Sequence, residues 1–552
     1  MFIALRSVAD GVVATELDAE AQRVRMSVIR PTELAEWVAK RESARPRWVW
    51  ADTARWYPDL LAAGVRVDRA LDLRLCRRIL RASAFSASTA VATSELDGWD
   101  ALVRIGATGR GDASTPLFEL EPPMADDDPV VELRRQRAAI DASERPGPLQ
   151  LLLAAESVGA LTAAEMTFAG LPWNRDEHEK LLETVLGPRP VSGRPARLEE
   201  KLAEIRQLLG DPTLNPDSPA DLLAGLQRAG LAVTSTRSWE LTHVQHPAIP
   251  PLLEYKKMAR LLTANGWNWL DEWVRDGRFR PVYVPGGVVT GRWASDGGGA
   301  LQLPKQVRSA VVADPGWTFV VADAAQLEPR VLAAISGDSA MAEAGQASDM
   351  YEGMVARGAV ETREQAKYGM LGAIYGGTTG ESARVLPLIE RAFPRALAFV
   401  EEAARAGERG EVVSTWLGRG SPAGAKAGYD ETASDDQRRQ QRSDAAAWGR
   451  FTRNFVVQGS AAEWALCWIG SLRRKLWDLG GGDSGDAALE SRPHLVFFLH
   501  DELIVHTPVE LADQVATALR DAARDAGRLM FGAAPVEFAV TVSTAARYSD
   551  AG

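Results

Sequence analysis

Cysteine is nearly absent from this chain of 552 residues: Cys76 and Cys467 are the only two, and they lack the paired spacing of a metal knot or a disulfide framework. Both sit in apolar or helical stretches, so buried free thiols in a reducing compartment are expected. No apolar run reaches membrane-spanning length, and the opening Met1-Phe2-Ile3-Ala4-Leu5-Arg6 does not read as a signal peptide. A cytoplasmic protein with no membrane partner is expected. An excess of positive charge is missing too, the formal net charge being -11. That does not exclude a polyanionic partner, because charge is felt only within about a Debye length, about 8 to 10 Å. Acid collects at Asp126-Asp127-Asp128, whereas Arg438, Arg439, Arg442, Arg450 and Arg453 cluster before Gln458. A basic cleft on an acidic body is expected.

What is present in quantity is apolar and charged material, 46% and 25%, enough to bury several cores in roughly two to four domains. The most informative stretch follows the apolar run Trp317-Thr318-Phe319-Val320-Val321-Ala322, which reads as a buried strand presenting Asp323 at its carboxyl end. A second acid lies far downstream. Leu495 to Leu499, then His500-Asp501-Glu502, then Leu503 to His506 read as a hairpin with charges at its turn. Either Asp alone would read as a strand cap or a polarised turn. Together they offer two carboxylates from separate apolar strands, a costly arrangement unless a cation joins them, and magnesium suits so few protein ligands.

Between the acids runs Arg363 to Gly376. If helical, it sets Arg363, Lys367, Leu371 and Tyr375 on one slowly drifting face. Two cations one turn apart suit a triphosphate, and the apolar and aromatic residues beyond suit a sugar and a base.

These motifs resemble the bacterial DNA polymerase I family, the family A polymerases, in a short form lacking the 5' nuclease domain. Asp323 to Arg330 is similar to the family's first palm motif, Arg363 to Gly376 to its fingers helix, and His500-Asp501-Glu502 to its second palm motif. Thr290-Gly291-Arg292 with Leu301-Gln302 and Pro304 matches a further run, as do Arg450, Asn454 and Gln458-Gly459-Ser460-Ala461-Ala462. Leu214 to Pro219 resembles the thumb entry, and Leu253 to Lys257 the helix behind it. The order from Leu214 to Glu502 is that of the family.

The resemblance implies an α/β (α+β) right-hand polymerase fold with palm, fingers and thumb, preceded by a degenerate RNase H-like exonuclease domain. It implies template-dependent addition of deoxynucleotides to a primer 3' end, in DNA repair or gap filling, by a nucleoid-associated cytoplasmic monomer. Asp323, Asp501 and the Ala324 carbonyl would hold two magnesium ions roughly 4 Å apart, with manganese as a substitute. Lys367 and Arg363 would hold the triphosphate, Lys367 also serving the pyrophosphate leaving group. Tyr375 would stack near the templating position. Glu328 would crowd the sugar 2' position, with Gln326, Arg330 and Leu371 also at the substrate. His500 and Glu502 would position the primer end and support Asp501. Arg292, Arg450, Asn454 and Gln458 would track the minor groove, whose acceptors are common to all base pairs.

Two residues depart from the family pattern. Leu371 replaces Phe or Tyr, so weaker nucleotide binding or altered sugar discrimination is expected. Pro329 replaces Leu, removing a backbone donor, and is expected to bend the segment after the strand. Trp293 and Trp464 are expected nearer the DNA than the other tryptophans.

Residues 1-145 resemble the family's proofreading domain in rhythm, with a strand at Trp48 to Asp52 and a basic helix from Leu71 to Leu80. The paired acids that such a nuclease needs are not found. Thr15-Glu16-Leu17-Asp18 and Asp52-Thr53-Ala54 are the nearest approaches. The polymerase portion is placed at 146-552: thumb about 150-289, with helices at Leu149 to Leu161 and Glu165 to Leu171, palm 290-345 and 451-552, fingers 346-450. Gly418 to Asp436 and Gly480 to Ser491 read as flexible loops. Three other readings stay open: a weak or inactive DNA-binding relative, a polymerase retaining 3'-5' exonuclease activity, and a single-subunit RNA polymerase, against which Glu328 and His-Asp-Glu argue.

Overall fold

A computed structural model describes residues 1-100, 128-299, 301, 303-377, 380-424, 434-480 and 488-551. Asp126, Asp127, Gln302 and parts of both expected loops, residues 425-433 and 481-487, lie outside the described residues.

The first of two compact units comprises Met1–Ala169, Val282–Asp296 and Gly316–Thr544. It opens with five strands, β1 (Phe2–Val8), β2 (Gly11–Leu17), β3 (Arg23–Ile29), β4 (Arg47–Trp50) and β5 (Arg69–Asp72), in the order β3-β2-β1-β4-β5. β1 to β3 are antiparallel and β4 and β5 run parallel to β1, a mixed sheet of the RNase H-like kind. Strand alternation fills both faces. Ile3, Leu5, Trp48 and Trp50 join one core cluster, while Ala4 and Val49 join the other. Helices α1 (Thr53–Ala62) and α2 (Leu73–Ala82) follow β4 and β5.

The two helices expected at 149-171 are a single one, α3 (Pro146–Ala169), because nothing between Leu161 and Glu165 breaks it. The expectation that no run reaches membrane-spanning length also needs correcting. α3 is long and apolar enough by length and composition, and two thirds of its most apolar window is buried within the protein. It carries Glu165, a buried acid that accepts from Arg473 Nε at 2.8 Å and from the Tyr57 hydroxyl at 2.6 Å. An unpaired carboxylate there would be costly, so the helix is keyed into place by charge as well as by apolar area.

A four-stranded sheet follows the order β7-β8-β6-β9, with β6 (Trp317–Ala324), β7 (His494–Leu499), β8 (Glu502–Pro508) and β9 (Val540–Ala545). Helices α4 (Leu327–Ser336), α5 (Met350–Ala356), α6 (Arg363–Tyr375) and α7 (Pro394–Glu408) share a core with Phe455, Val456 and Val457. These last residues lie on α8 (Asp435–Leu479), whose Ser434 and Gln437 form a reciprocal capping box. Helix α9 (Ala512–Phe531) packs on β6 and β8.

The second unit comprises Gly170–Pro281, Gly297–Pro315 and Ala545–Gly552. Helix α3 thus belongs to the first unit, which runs without a break from Met1 to Ala169. Within the second unit Trp173, His178, Trp269 and Phe279 form an aromatic cluster. Burial holds His178 down at about 4, so it is neutral there. The Tyr255 hydroxyl donates to Asp217 at 3.0 Å, joining two sequence motifs 38 residues apart.

Cys76 and Cys467 are buried free thiols, as expected, and burial raises both above the ordinary thiol range.

Candidate active site

Every residue of β6 from Thr318 to Ala322 is buried, and the strand then presents Asp323 to open space. Beside it the β7–β8 hairpin turns at His500-Asp501. His500 adopts φ +58°, a left-handed conformation that disfavours a side chain, and Asp501 N–H donates back to Leu499 at 2.7 Å. The turn thus lifts Asp501 toward its neighbour strand. The ladder sets Asp323 opposite Glu502, and Ala324 N–H donates to the Asp501 carbonyl at 2.9 Å. Both acids are therefore fixed by backbone hydrogen bonds. Gln326, also left-handed at φ +47°, caps α4 and accepts from Met350 N–H at 3.1 Å.

The two carboxylates are uneasy together. Surrounding protein pushes Asp501 up to about 6, with the charge of Asp323 adding to the effect. Asp323 is raised by the same burial and by Glu502. Among the described residues neither makes an ion pair. Adjacent carboxylates without a cationic partner are a donor set that a hard divalent cation fits. Without metal, ionised Asp501 costs the fold free energy above pH 6, whereas an unfolded chain ionises it freely. Asp501→Asn is therefore expected to raise the Tm in chelator, more at pH 8 than at pH 5. Thermal melts at the two pH values check this, and an equal or lower Tm at pH 8 contradicts it.

Opposite the acids stands α6, capped by Thr362 on Gln365 N–H. Ala366, Met370 and Ala373 face the core, leaving Arg363, Lys367, Leu371 and Tyr375 exposed on the opposite face. Arg363 Nε donates to Asp349 at 2.8 Å and lies over the Tyr351 ring. Lys367 makes no ion pair among the described residues. Asp323, Ala324, Gln326, Glu328, His500 and Asp501 line a cavity of about 370 Å³ that Arg292, Leu371 and Tyr375 also reach.

Glu328 is gripped from two sides, by the Arg292 guanidinium and by the Tyr375 hydroxyl at 2.8 Å. Burial and the Glu328 charge push Tyr375 up to about 12, so it stays a neutral donor. Gln458 reaches the same hydroxyl from α8. Arg450, Asn454 and Gln458 recur every four residues along α8. A Cβ at Gly459 would stand 2.4 Å from the Thr415 methyl, so glycine at this position lets the chain at Thr415 lie against the helix.

Several expected residues are placed otherwise. Arg330 is fully buried and bonds the carbonyls of Ala325, Gly345, Glu537, Ala347 and Ser348, which makes it scaffold and not a substrate contact. Arg453 is buried against Glu401 and the Ala373 carbonyl, removing one cation from the expected basic cluster. Arg439 is paired with Asp436 at 2.6 Å. Trp293 and Trp464 are core residues, packed on Phe498 and Phe538. Pro329 breaks no helical bond, because it sits in the first turn of α4, where N–H groups lack intrahelical acceptors, and Arg330 N–H makes the bond to Gln326. Reasoning from sequence missed Tyr351 in the cavity wall and Asp349 beside Arg363. The one available signal was Asp349 as an N-cap preceding Met350-Tyr351.

A larger cavity, about 760 Å³, lies beside β5 and α2, lined in part by Asp52, Asp72, Arg74 and Arg78. Asp52 and Asp72 have structural partners, as do Glu16 and Asp18 elsewhere in the same sheet region. Asp52 caps α1 through Ala54 N–H, and Asp72 accepts from Thr53 and Leu75. Glu16 pairs with Arg41, and Asp18 accepts from Gln22 N–H at 2.7 Å. The smaller cavity brings together Asp323, Asp501, Glu328 and Tyr375.

A family model described as DNA polymerase family A matches residues 193–550. DNA polymerase I of Chloroflexus aurantiacus is 28% identical over 336 residues, 56% of this chain and 33% of that protein. The thermostable DNA polymerase I of Thermus aquaticus is 25% identical over 403 residues, 66% of this chain and 41% of its own. The chain thus spans a third to about two fifths of these relatives. The solved POL domain of Pol1 from M. smegmatis, in complex with DNA primer-template and dNTP, superposes with a TM-score of 0.69 at 20% identity. It covers 100% of this chain and 95% of its own, and the likeness is one of fold, the right-hand polymerase fold.

Proposed function

Because the chain belongs to DNA polymerase family A, we propose that it extends a DNA primer with deoxynucleoside triphosphates under the direction of a template, in repair or gap filling. The observation that carries this is the Asp323–Asp501 pair, tied by the Ala324 hydrogen bond and facing Leu371 and Tyr375 of α6 across one cavity.

Asp323, Asp501 and the Ala324 carbonyl are the groups that would hold divalent metal, magnesium by preference. Such ions, when bound, would lower the pKa of the primer 3'-hydroxyl and stabilise the charge of an in-line displacement. Arg363 and Lys367, about 6 Å apart along the helix, would hold the triphosphate, Arg363 exchanging Asp349 for phosphate. Lys367 would give its proton to the departing pyrophosphate. Tyr375 and Arg292 hold Glu328 by both oxygens, so its carboxylate cannot swing aside for a ribose 2'-hydroxyl. That rigidity is the basis for deoxyribonucleotide selection. Arg292 pairs with Glu328 here and would also be the residue that touches the primer strand, with Gln458, Asn454 and Arg450 following the minor groove.

Leu371 offers no flat ring to the sugar. Leu371→Phe is expected to lower the nucleotide KM severalfold and to change the dideoxynucleotide preference, because an aromatic face adds about 0.5 to 1.5 kcal/mol of contact. Unchanged KM and dideoxy ratio in steady-state extension would remove Leu371 from the sugar site.

In domain terms, fingers at 346-450 would carry α6, a palm at 290-345 and 451-552 would carry both acids, and a thumb would occupy about 150-289. Residues 1-145 would be a non-catalytic scaffold, since Glu16, Asp18, Asp52 and Asp72 already have structural partners. Incubation of a 3'-labelled duplex with magnesium or manganese and no nucleotide tests this, and loss of label would restore the nuclease reading. Primer extension by the wild type tests the polymerase itself.

A further inference from the structure

We propose that the face of α9 beside residues 531-540 is a track for single-stranded DNA, a contact additional to the polymerase cleft; the inference rests on the DNA-polymerase reading above. Arg520, Arg524 and Arg528 recur every four residues on α9, and Phe531 follows on the same side within an arc of about 80°. Successive guanidinium stems are thus spaced about 6 Å, and the row spans about 12 Å. All three are exposed and line a cavity of about 460 Å³.

Little neutralises the row. Arg524 meets Asp521 at 3.1 Å, but those side chains are 59% and 41% exposed, a pair that water and salt weaken. Asp525 is taken by Lys475 at 3.0 Å. Among the described residues Arg520 reaches only the carbonyl of Ala516 in its own helix, at 3.4 Å. Arg528 makes no side-chain hydrogen bond or ion pair among the described residues. Glu537 is the one acid in the lining. On a chain of net charge -11, three exposed arginines in a row, one of them in a solvent-weakened pair, mark a polyanion site.

The second observation is aromatic. Phe538 stacks on Trp464 at 5.2 Å with 21° between planes, and Phe531 stacks on Phe538 at 5.3 Å with 12°. Trp464 is the buried root of this column, and both phenylalanines line the cavity half-buried. Trp416 flanks Phe531 at 6.0 Å with 49° between planes, so a base would lie against the phenylalanine rings where they line the cavity. Evenly spaced cations beside a stacking surface fit unpaired nucleotides, because a duplex hides its base faces and an acidic peptide has none to offer. The cavity is also mechanically joined to the acids: Ala539, in its wall, accepts the hydrogen bond of Ala325 N–H, two residues after Asp323.

The test uses the full chain and a fluorescent oligothymidylate of about 20 nucleotides, titrated over salt. The triple variant R520Q/R524Q/R528Q is expected to weaken binding at least about 10-fold near 0.1 M salt. It should flatten the salt slope by about 2, at about 0.7 per lost phosphate contact. Phe531→Leu is expected to weaken binding to the same oligomer while leaving its slope unchanged, and to leave binding of an abasic oligomer unchanged. Extension on a template with a one-nucleotide overhang should survive in the triple variant, while extension on a long overhang slows. Equal affinity and slope in the triple variant would overturn the proposal, as would displacement of the oligomer by polyglutamate of equal charge. A wild type that extends no primer would instead sink the polymerase reading, whatever the oligomer titrations give.

Discussion

Asp501→Ala is expected to reduce single-nucleotide extension by at least about 10³-fold, with primer-template affinity changed less than about threefold. Removing this carboxylate takes away one of two acids facing the same cavity, and with it the group that would balance a cation against developing phosphoryl charge. Stability should not suffer, because Asp501 is held above the usual carboxylate range by its surroundings and by Asp323. Loss of activity with retained folding and DNA binding separates a chemical role from a structural one. Rapid-quench extension together with an equilibrium DNA titration reads both. A variant that keeps a tenth or more of wild-type extension would show that the acids do not act as a pair.

Lys367→Ala is expected to cost about 10² to 10⁴-fold in extension rate, the usual range for a positioned proton donor, and to raise the nucleotide KM as well. Lys367 stands on the exposed face of α6 one turn beyond Arg363, and no neighbouring acid occupies it among the described residues. Arg363, by contrast, must leave Asp349 before it can hold phosphate. Lys367→Arg separates the two duties, since arginine keeps the charge but cannot deliver a proton at neutral pH. Binding should be retained and the rate lost. If Lys367→Arg restores the full rate, Lys367 acts by charge alone.

The placement of the candidate site's acids and helix face was legible because they lie in local patterns. The largely apolar run ending in Asp323 reads as a strand with an acid at its end, and the four-residue repeat from Arg363 to Tyr375 survives as one helix face. Where sequence reasoning failed, the deciding contacts were distant. Arg330 stands within a polar motif, yet its guanidinium gathers carbonyls from three separate segments, and no local pattern announces that. Arg453 follows the same lesson: a run of arginines on α8 looks uniformly basic until the helix phase turns one of them into the core against Glu401. Tyr351 enters the cavity from a short helix whose position depends on Gln326 and Arg330. The two helices expected at 149-171 are the single α3, because Thr162, Ala163 and Ala164 between them include no helix breaker.

The measurement that bears most directly on the account is extension of a labelled primer-template by the wild type with magnesium, comparing deoxynucleotides with ribonucleotides and including a lane without nucleotide. The account predicts template-directed deoxynucleotide extension, far weaker ribonucleotide use, and an intact primer in the last lane. A well-folded protein that binds the primer-template and extends it with neither substrate would contradict the account, leaving a DNA-binding relative whose acids no longer do chemistry.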